Sequence, residues 1–404
     1  MPIIDLIVTS VTVITLVLLF LPKVRSSLLW RATVTPLASI IGSGFLIIAP
    51  VLGQAVGPLA GWAMLGIVCF AFLIGHVIRF NIRYGEPLLE KAKGHGWVFR
   101  AEQLSNAAVF FAYLISVAFY LRLLSSYALK LFDHSSDFSA NLLTTAILGS
   151  IAVVGVLKGL RFLEALEKFS VSIKLSIIAA LLAGLLFFDI ENGQKLPDLI
   201  SKDVDWHMFG LLAGMLLVVQ GFETSRYLGD EYSASDRVRS MRIAQILSGL
   251  VYVGFVVLVM PLLGLLENKT ADETAIIQLS GHVADTLPYL LILAALASQF
   301  SAAIADTLGG GGLIREETRG NVSSKVGYLI ITAGACLLIW IANIFEIVAF
   351  ASRAFAFYYL TQTLVALVVV YRSKEVSHKP YRYTFFTVMI CILAWIVIFA
   401  IPVE

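Results

Sequence analysis

An all-α integral membrane fold is predicted by three observations: long uncharged apolar runs recur along the whole chain, charge is scarce, and basic residues alternate from loop to loop. The 404 residues are 59% hydrophobic and only 14% charged, with a mean hydropathy of +0.90. Soluble domains sit nearer half apolar and about a quarter charged. The shortage of charge is the sharper signal, because water-facing surface needs it and lipid-facing surface carries it at high cost. The net charge of +2 points to no acidic partner, and no nucleic acid or soluble partner is expected. Cys69, Cys336 and Cys391 lie inside apolar runs with no CxxC pair, so they read as small buried hydrophobes.

A membrane span needs about 20 mostly apolar residues to cross roughly 30 Å of hydrocarbon. About twelve runs qualify, near 3–22, 34–54, 57–80, 104–128, 140–157, 169–188, 206–225, 240–265, 285–308, 325–343, 345–371 and 383–402. The first lacks a basic leader and an A-x-A cleavage site, so it is expected to stay as a helix. If the loop 23–31 faces the cytoplasm, alternation places 79–101, 158–168, 226–243, 309–325 and 372–382 there too. Those loops hold 22 of the 29 Lys and Arg. Such a bias orients the chain in a plasma membrane with both termini outside. Asn268-Lys-Thr then forms a glycosylation sequon on the outer side.

Two spans are unlike the rest. The second carries Gly42-Ser43-Gly44 at its centre and Pro50 beyond. Glycine costs about 1 kcal/mol and proline about 3 inside a helix, so this is a place where the helix can unwind. A small-residue packing face is the competing reading. The seventh run is apolar only over 208–219, too short to cross, and must continue through Gln220, Gly221, Phe222 and Glu223. Such a segment is tolerated at depth only where it lines a cavity or packs in protein; otherwise the span ends at Gln220. One interrupted helix in each half, five helices apart, is the pattern of an inverted five-plus-five repeat with its site at the repeat interface. The expected division is 1–24 as an extra N-terminal helix, 30–190 and 204–372 as the two repeats, and 381–404 as a C-terminal helix.

Ionisable residues within spans are His76, Lys174, Glu223, Asp306, Glu346 and Arg353. His76 and Asp306 are expected near the cytoplasmic interface, and Glu346 with Arg353, two turns apart, as a structural pair. Lys174 lies about five residues inside its span, where low dielectric penalises the ammonium form. A lysine there can take a proton on one side and lose it on the other. Alternatively it snorkels to the interface that Lys168 marks.

Three stretches resemble the amino acid–polyamine–organocation (APC) superfamily. IIGSGFLIIAPV resembles its unwound first-helix motif, QGFETSRYLGDEY followed by DRVRSMRIAQ its sixth-helix motif, and VSIKLSIIAALL its fifth helix, which carries a lysine in proton-dependent members. The resemblance spans roughly 30–402. The helix at 3–22 and the sequence GGGGLIREETRGN depart from it. It implies a secondary transporter of a small amino acid or related amine, with the bilayer and a small solute as partners. It implies that N–H groups around Gly42, Ser43 and Gly44 receive a carboxylate. Carbonyls near Ser39, Ile40, Ile41, Val219 and Gln220 would receive an amine, with Phe222 beside the side-chain pocket and Phe110, Phe111 or Tyr113 as further aromatics. Glu223 would brace the second break. No cofactor is expected, and Lys174 implies a proton gradient. Ser298 and Ser301 offer an alternative sodium site. An intramembrane enzyme is the reading from another class, but no H-E-x-x-H or G-x-S-x-G occurs. A scaffold or receptor would require both interrupted helices to be continuous.

Overall fold

The computed structural model describes residues 2–42, 44–91, 97–130, 136–158, 160–193, 205–229, 231–266, 275–342 and 344–400. Ser43 and the Asn268 sequon lie outside the described residues. Every element among them is helical. In chain order the helices that matter are α1 (Pro2–Phe20), α2 (Leu28–Ile40), α3 (Gly44–Val56), α4 (Ala60–Phe80), α5 (Trp97–Lys130), α6 (Asp137–Leu157), α7 (Leu160–Asn192), α8 (Trp206–Gly214), α9 (Ala234–Leu263), α10 (Leu287–Glu317), α11 (Ser324–Ile341), α12 (Ile344–Arg372) and α13 (Lys379–Phe399).

Among the described residues, ten helical stretches are long and apolar enough to cross a membrane. They match ten of the predicted runs or pairs of runs, with α3 and α4 joined in one stretch, 44–89. The seventh run qualifies nowhere because it is in pieces. α8 ends at Gly214, and 3₁₀ turns cover Met215–Val219 and Phe222–Leu228. The second span is in pieces as well: α2 stops at Ile40 and α3 starts at Gly44. Both predicted interruptions are present, five helices apart.

Local sequence sets the helix starts. Ser136, Asp205 and Ser233 each accept a backbone N–H three residues on, at 3.1, 2.8 and 3.2 Å. Each fills one of the donors a helix N-terminus leaves open. Lipid-facing surface explains the exposed apolar side chains, such as Trp62, Leu157 and Ile341. Cys69 and Cys391 are among the exposed residues, contrary to the expectation of burial. An uncharged thiol on a lipid-facing helix meets no desolvation cost. The centre is built from α5, α7, α9, α10 and α12, which enclose the two broken helices. α1 lies outside that group, packed along α7.

One difference from the expected layout has a clear cause. The glycine run at 309–312, expected in a loop, is helical, and α10 continues to Glu317. The glycines let neighbours approach. A Cβ on Gly327 of α11 would stand 2.7 Å from the Gly311 Cα, and one on Gly309 would stand 3.1 Å from the Tyr113 ring. Helices in lipid associate through such small-residue contacts. The added turns also move Asp306 inward: it is fully buried and not interfacial.

Because that contact is backbone against backbone, side-chain movement cannot relieve it. Gly327→Ala is therefore expected to cost about 1–3 kcal/mol, as overpacking does, read as a lower melting temperature of the purified chain. Gly254→Ala, where a Cβ meets nothing within 4 Å, serves as the neutral control.

Candidate functional site

The first break leaves the last carbonyls of α2 without helical partners, and no water reaches them in hydrocarbon. Side chains from three helices supply the donors. The Lys174 ammonium on α7 donates to Ala38 O at 2.8 Å, to Ile41 O at 2.6 Å and to Ser301 Oγ at 3.0 Å. On α10, the Ser298 hydroxyl lies 2.7 Å from Ile41 O and 3.0 Å from Gly42 O. Ser301 in turn donates to Ser298 O at 3.0 Å. Tyr252 of α9 points its hydroxyl at Ile40 O, 3.0 Å away, and at Val218 O, 2.8 Å away. Lys174 is fully buried, so the snorkelling alternative does not describe it.

At the second break Gly221 has φ +113°, a conformation that favours glycine. Its N–H donates to Glu223 Oε2 at 3.0 Å, and the Tyr359 hydroxyl donates to the same oxygen at 2.7 Å. Phe222 is fully buried and stacks on Tyr359 with ring centroids 5.4 Å apart. Gln220 donates through Nε2 to the Tyr120 hydroxyl at 3.2 Å. Val219 is buried beside them.

The breaks touch each other. A Cβ on Gly221 would stand 2.7 Å from the Ser39 carbonyl carbon, and one on Gly44 would stand 2.8 Å from Val218 Cγ2. Ser39 also donates to Asp306 Oδ1 at 2.8 Å. Among the described residues, four buried polar atoms around this junction have no hydrogen-bond partner: Asp306 Oδ2, Glu223 Oε1, Gln220 Oε1 and the Tyr113 hydroxyl. Ser116 lies close to the Asp306 carboxylate, but its proton is committed to Ala112 O at 2.9 Å. Three of the four are acceptors, and that set is chemically suited to an N–H-rich cation.

One turn beyond the second break, on the face of the basic loops, lies a charged layer. Arg226 pairs with Glu102 and donates to Gln362, and Arg237 binds Glu86 through both carboxylate oxygens at 2.8 and 2.7 Å. A cavity of about 580 Å³ opens there, lined by these two pairs together with Arg315 and Glu316.

The structure thus brings together Ile40, Ile41, Gly42, Gly44, Val219, Gln220, Gly221, Phe222 and Glu223, with Lys174, Ser298 and Ser301 against the first break. Ser43 is outside the described residues. Tyr113 is buried beside the junction, Phe110 half-buried, and Phe111 61% exposed and lipid-facing. Glu346 and Arg353 are exposed on α12, and His76 is exposed with its ring against Phe385. Sequence reasoning missed Tyr252, Tyr359 and Tyr120, and it singled out Ser39 for its carbonyl and not for the side chain that reaches Asp306. A lone tyrosine or serine in an apolar run carries no spacing signal, and only the fold shows which ones point at a break. Among the described residues no three His, Cys, Asp or Glu side chains gather as a metal-binding group.

A polytopic helical protein with two interrupted spans meeting at its centre is built as a membrane transporter. The family model for APC superfamily transporters matches residues 22–400, and the chain belongs to that superfamily. It is also similar to an uncharacterized protein of Aquifex aeolicus (strain VF5), 45% identical over 403 residues, with 99% of this chain and 98% of the relative covered.

Close approach at the junction leaves no room for a branched side chain. Gly221→Val and Gly44→Val are each expected to abolish substrate uptake in reconstituted vesicles while the chain still inserts and purifies as a monodisperse species. Near-normal uptake by both variants would remove the junction from the transport path.

Proposed function

We propose that the chain is a secondary active transporter of a small amino acid or a related amine, driven by protons and working by alternating access around the two breaks. The observation that carries this reading is the buried Lys174 ammonium, which spends all three donors on Ala38 O, Ile41 O and Ser301 Oγ. Loss of the proton leaves two N–H donors and a lone pair. One of the three contacts is then given up, and the tie that holds α2, α7 and α10 together weakens. Proton binding on one side and release on the other would so bias the broken helix between two arrangements.

The sodium alternative would use Ser298 and Ser301. Ser298 already serves the Ile41 and Gly42 carbonyls, and Ser301 accepts from Lys174. An ammonium beside these hydroxyls supports the proton over a metal cation, since two positive charges at one buried spot repel. For the substrate, the first N–H groups of α3 suit a carboxylate. The carbonyls at the end of α2 already accept internal donors, so the amine is assigned to the free oxygens of Glu223, Asp306 and Gln220.

The test is uptake into liposomes under imposed gradients. An inward pH gradient should concentrate substrate with the native chain. Lys174→Ala should lose that drive and still exchange substrate at a measurable rate. Dependence on sodium, or an unaffected Lys174→Ala, would transfer the coupling role to the serines.

Both termini are proposed to lie outside the cell. With the native cysteines replaced by serine, single cysteines near residues 2 and 404 should react with an impermeant maleimide in intact cells. A cysteine in the loop 23–31 should react only after permeabilisation. Reversed labelling would overturn the orientation.

A further inference from the structure

We propose that the wedge between α1, α2 and α7 is a binding site for one anionic diacyl phospholipid. A cavity of about 570 Å³ opens where the turn from α1 to α2 meets α7, within the size range of pockets for small ligands, about 300–1,000 Å³. Its lining is divided. Phe20, Trp30 and Phe169 form apolar walls, while Arg25, Arg31 and Lys168 bring three cations and none of the lining residues is acidic. Arg25 and Arg31 are exposed. Arg25 sits over the Phe20 ring, 5.3 Å from its centroid. The nearby Glu167 turns the other way, fully buried, and accepts from Thr35 of α2.

The occupant follows from this chemistry and from the place. The cations lie just past the end of α1, at the depth where headgroups sit. Phe169 of the lining is 53% exposed, and Leu21 and Leu28, which flank the lining segment 22–26 in sequence, are 41% and 52% exposed, as lipid-facing side chains are. A free phosphate would meet the exposed Arg25 and Arg31 and leave the aromatic walls wet. A zwitterionic lipid would fill the walls and bring its own cation among three others. A phosphodiester with one net negative charge and two acyl chains meets both halves. Basic pockets between spans on the side of the basic loops bind anionic headgroups in this manner.

The site reaches the transport machinery through its back wall. Val34 and Ser172 line it, and Val34 packs with Ala38, Val171 and Ala305 in one buried cluster. Ala38 offers its carbonyl to Lys174. A lipid in the wedge therefore ties α1 and the first half-helix to α7 one layer from the first break. This inference stands apart from the proton-coupling reading, because its readouts are lipid retention and melting.

The full-length chain in neutral detergent is titrated with phosphatidylglycerol, with phosphatidylcholine of the same acyl chains, and with inorganic phosphate, and followed by native mass spectrometry and thermal unfolding. The native chain should retain one phosphatidylglycerol and melt at a higher temperature with it, and respond weakly to the other two. Arg25→Gln with Arg31→Gln should weaken retention roughly thirty-fold, about tenfold or less per charge. The control pair Arg372→Gln with Lys374→Gln, exposed cations of another basic loop, should leave it unchanged. Equal retention of the two lipids, equal losses in both double variants, or equal stabilisation by inorganic phosphate would overturn the proposal.

Discussion

Carbonyl groups that a broken helix exposes in hydrocarbon must find donors inside the protein, and much of the centre is arranged around that requirement. Four backbone oxygens between Ala38 and Gly42 accept from Lys174, Tyr252 and Ser298. These side chains come from α7, α9 and α10, so one interruption in α2 fixes the register of three long helices. An unsatisfied buried polar group costs about 1–3 kcal/mol. Several at one place would favour a continuous helix, and the glycines at 42 and 44 would then have no use. The break and its donors exist together or not at all.

The second break is held differently. Its backbone is braced from within by Glu223, which accepts from Gly221 N–H, and from outside by Tyr359. Tyr252 joins the two, reaching both Ile40 O and Val218 O with a single proton. A shift of either half-helix therefore changes what the other can bond. That is the property a two-state element needs if a bound solute at the junction is to move the surrounding helices. The Arg226–Glu102 pair follows in sequence directly after this brace, so the second break and the charged layer are parts of one short segment.

The outermost helix has a separate standing. The family match begins at residue 22, after α1, whereas the Aquifex aeolicus relative is aligned over 403 residues and includes that region. α1 packs on α7, the helix that carries Lys174. It adds a lipid-facing partner to the element that holds the first break, and it creates the wedge that a headgroup can enter.

The sequence alone determined the class of fold, because lipid sets a one-dimensional rule: about 20 apolar residues for each crossing and basic loops on one side. It also marked both breaks, since glycine beside polar residues at mid-span violates that rule locally. Lys174 was legible for the same reason. Tertiary structure decided what answers the breaks. Tyr252, Tyr359 and Ser39 are unexceptional in their own helices, and Asp306 looked interfacial until α10 continued through its glycines to Glu317. Periodicity cannot report which face meets which neighbour. The partners of Ala38 and Ile41 lie more than 130 residues away along the chain, and only the packing of whole helices brings them within 3 Å.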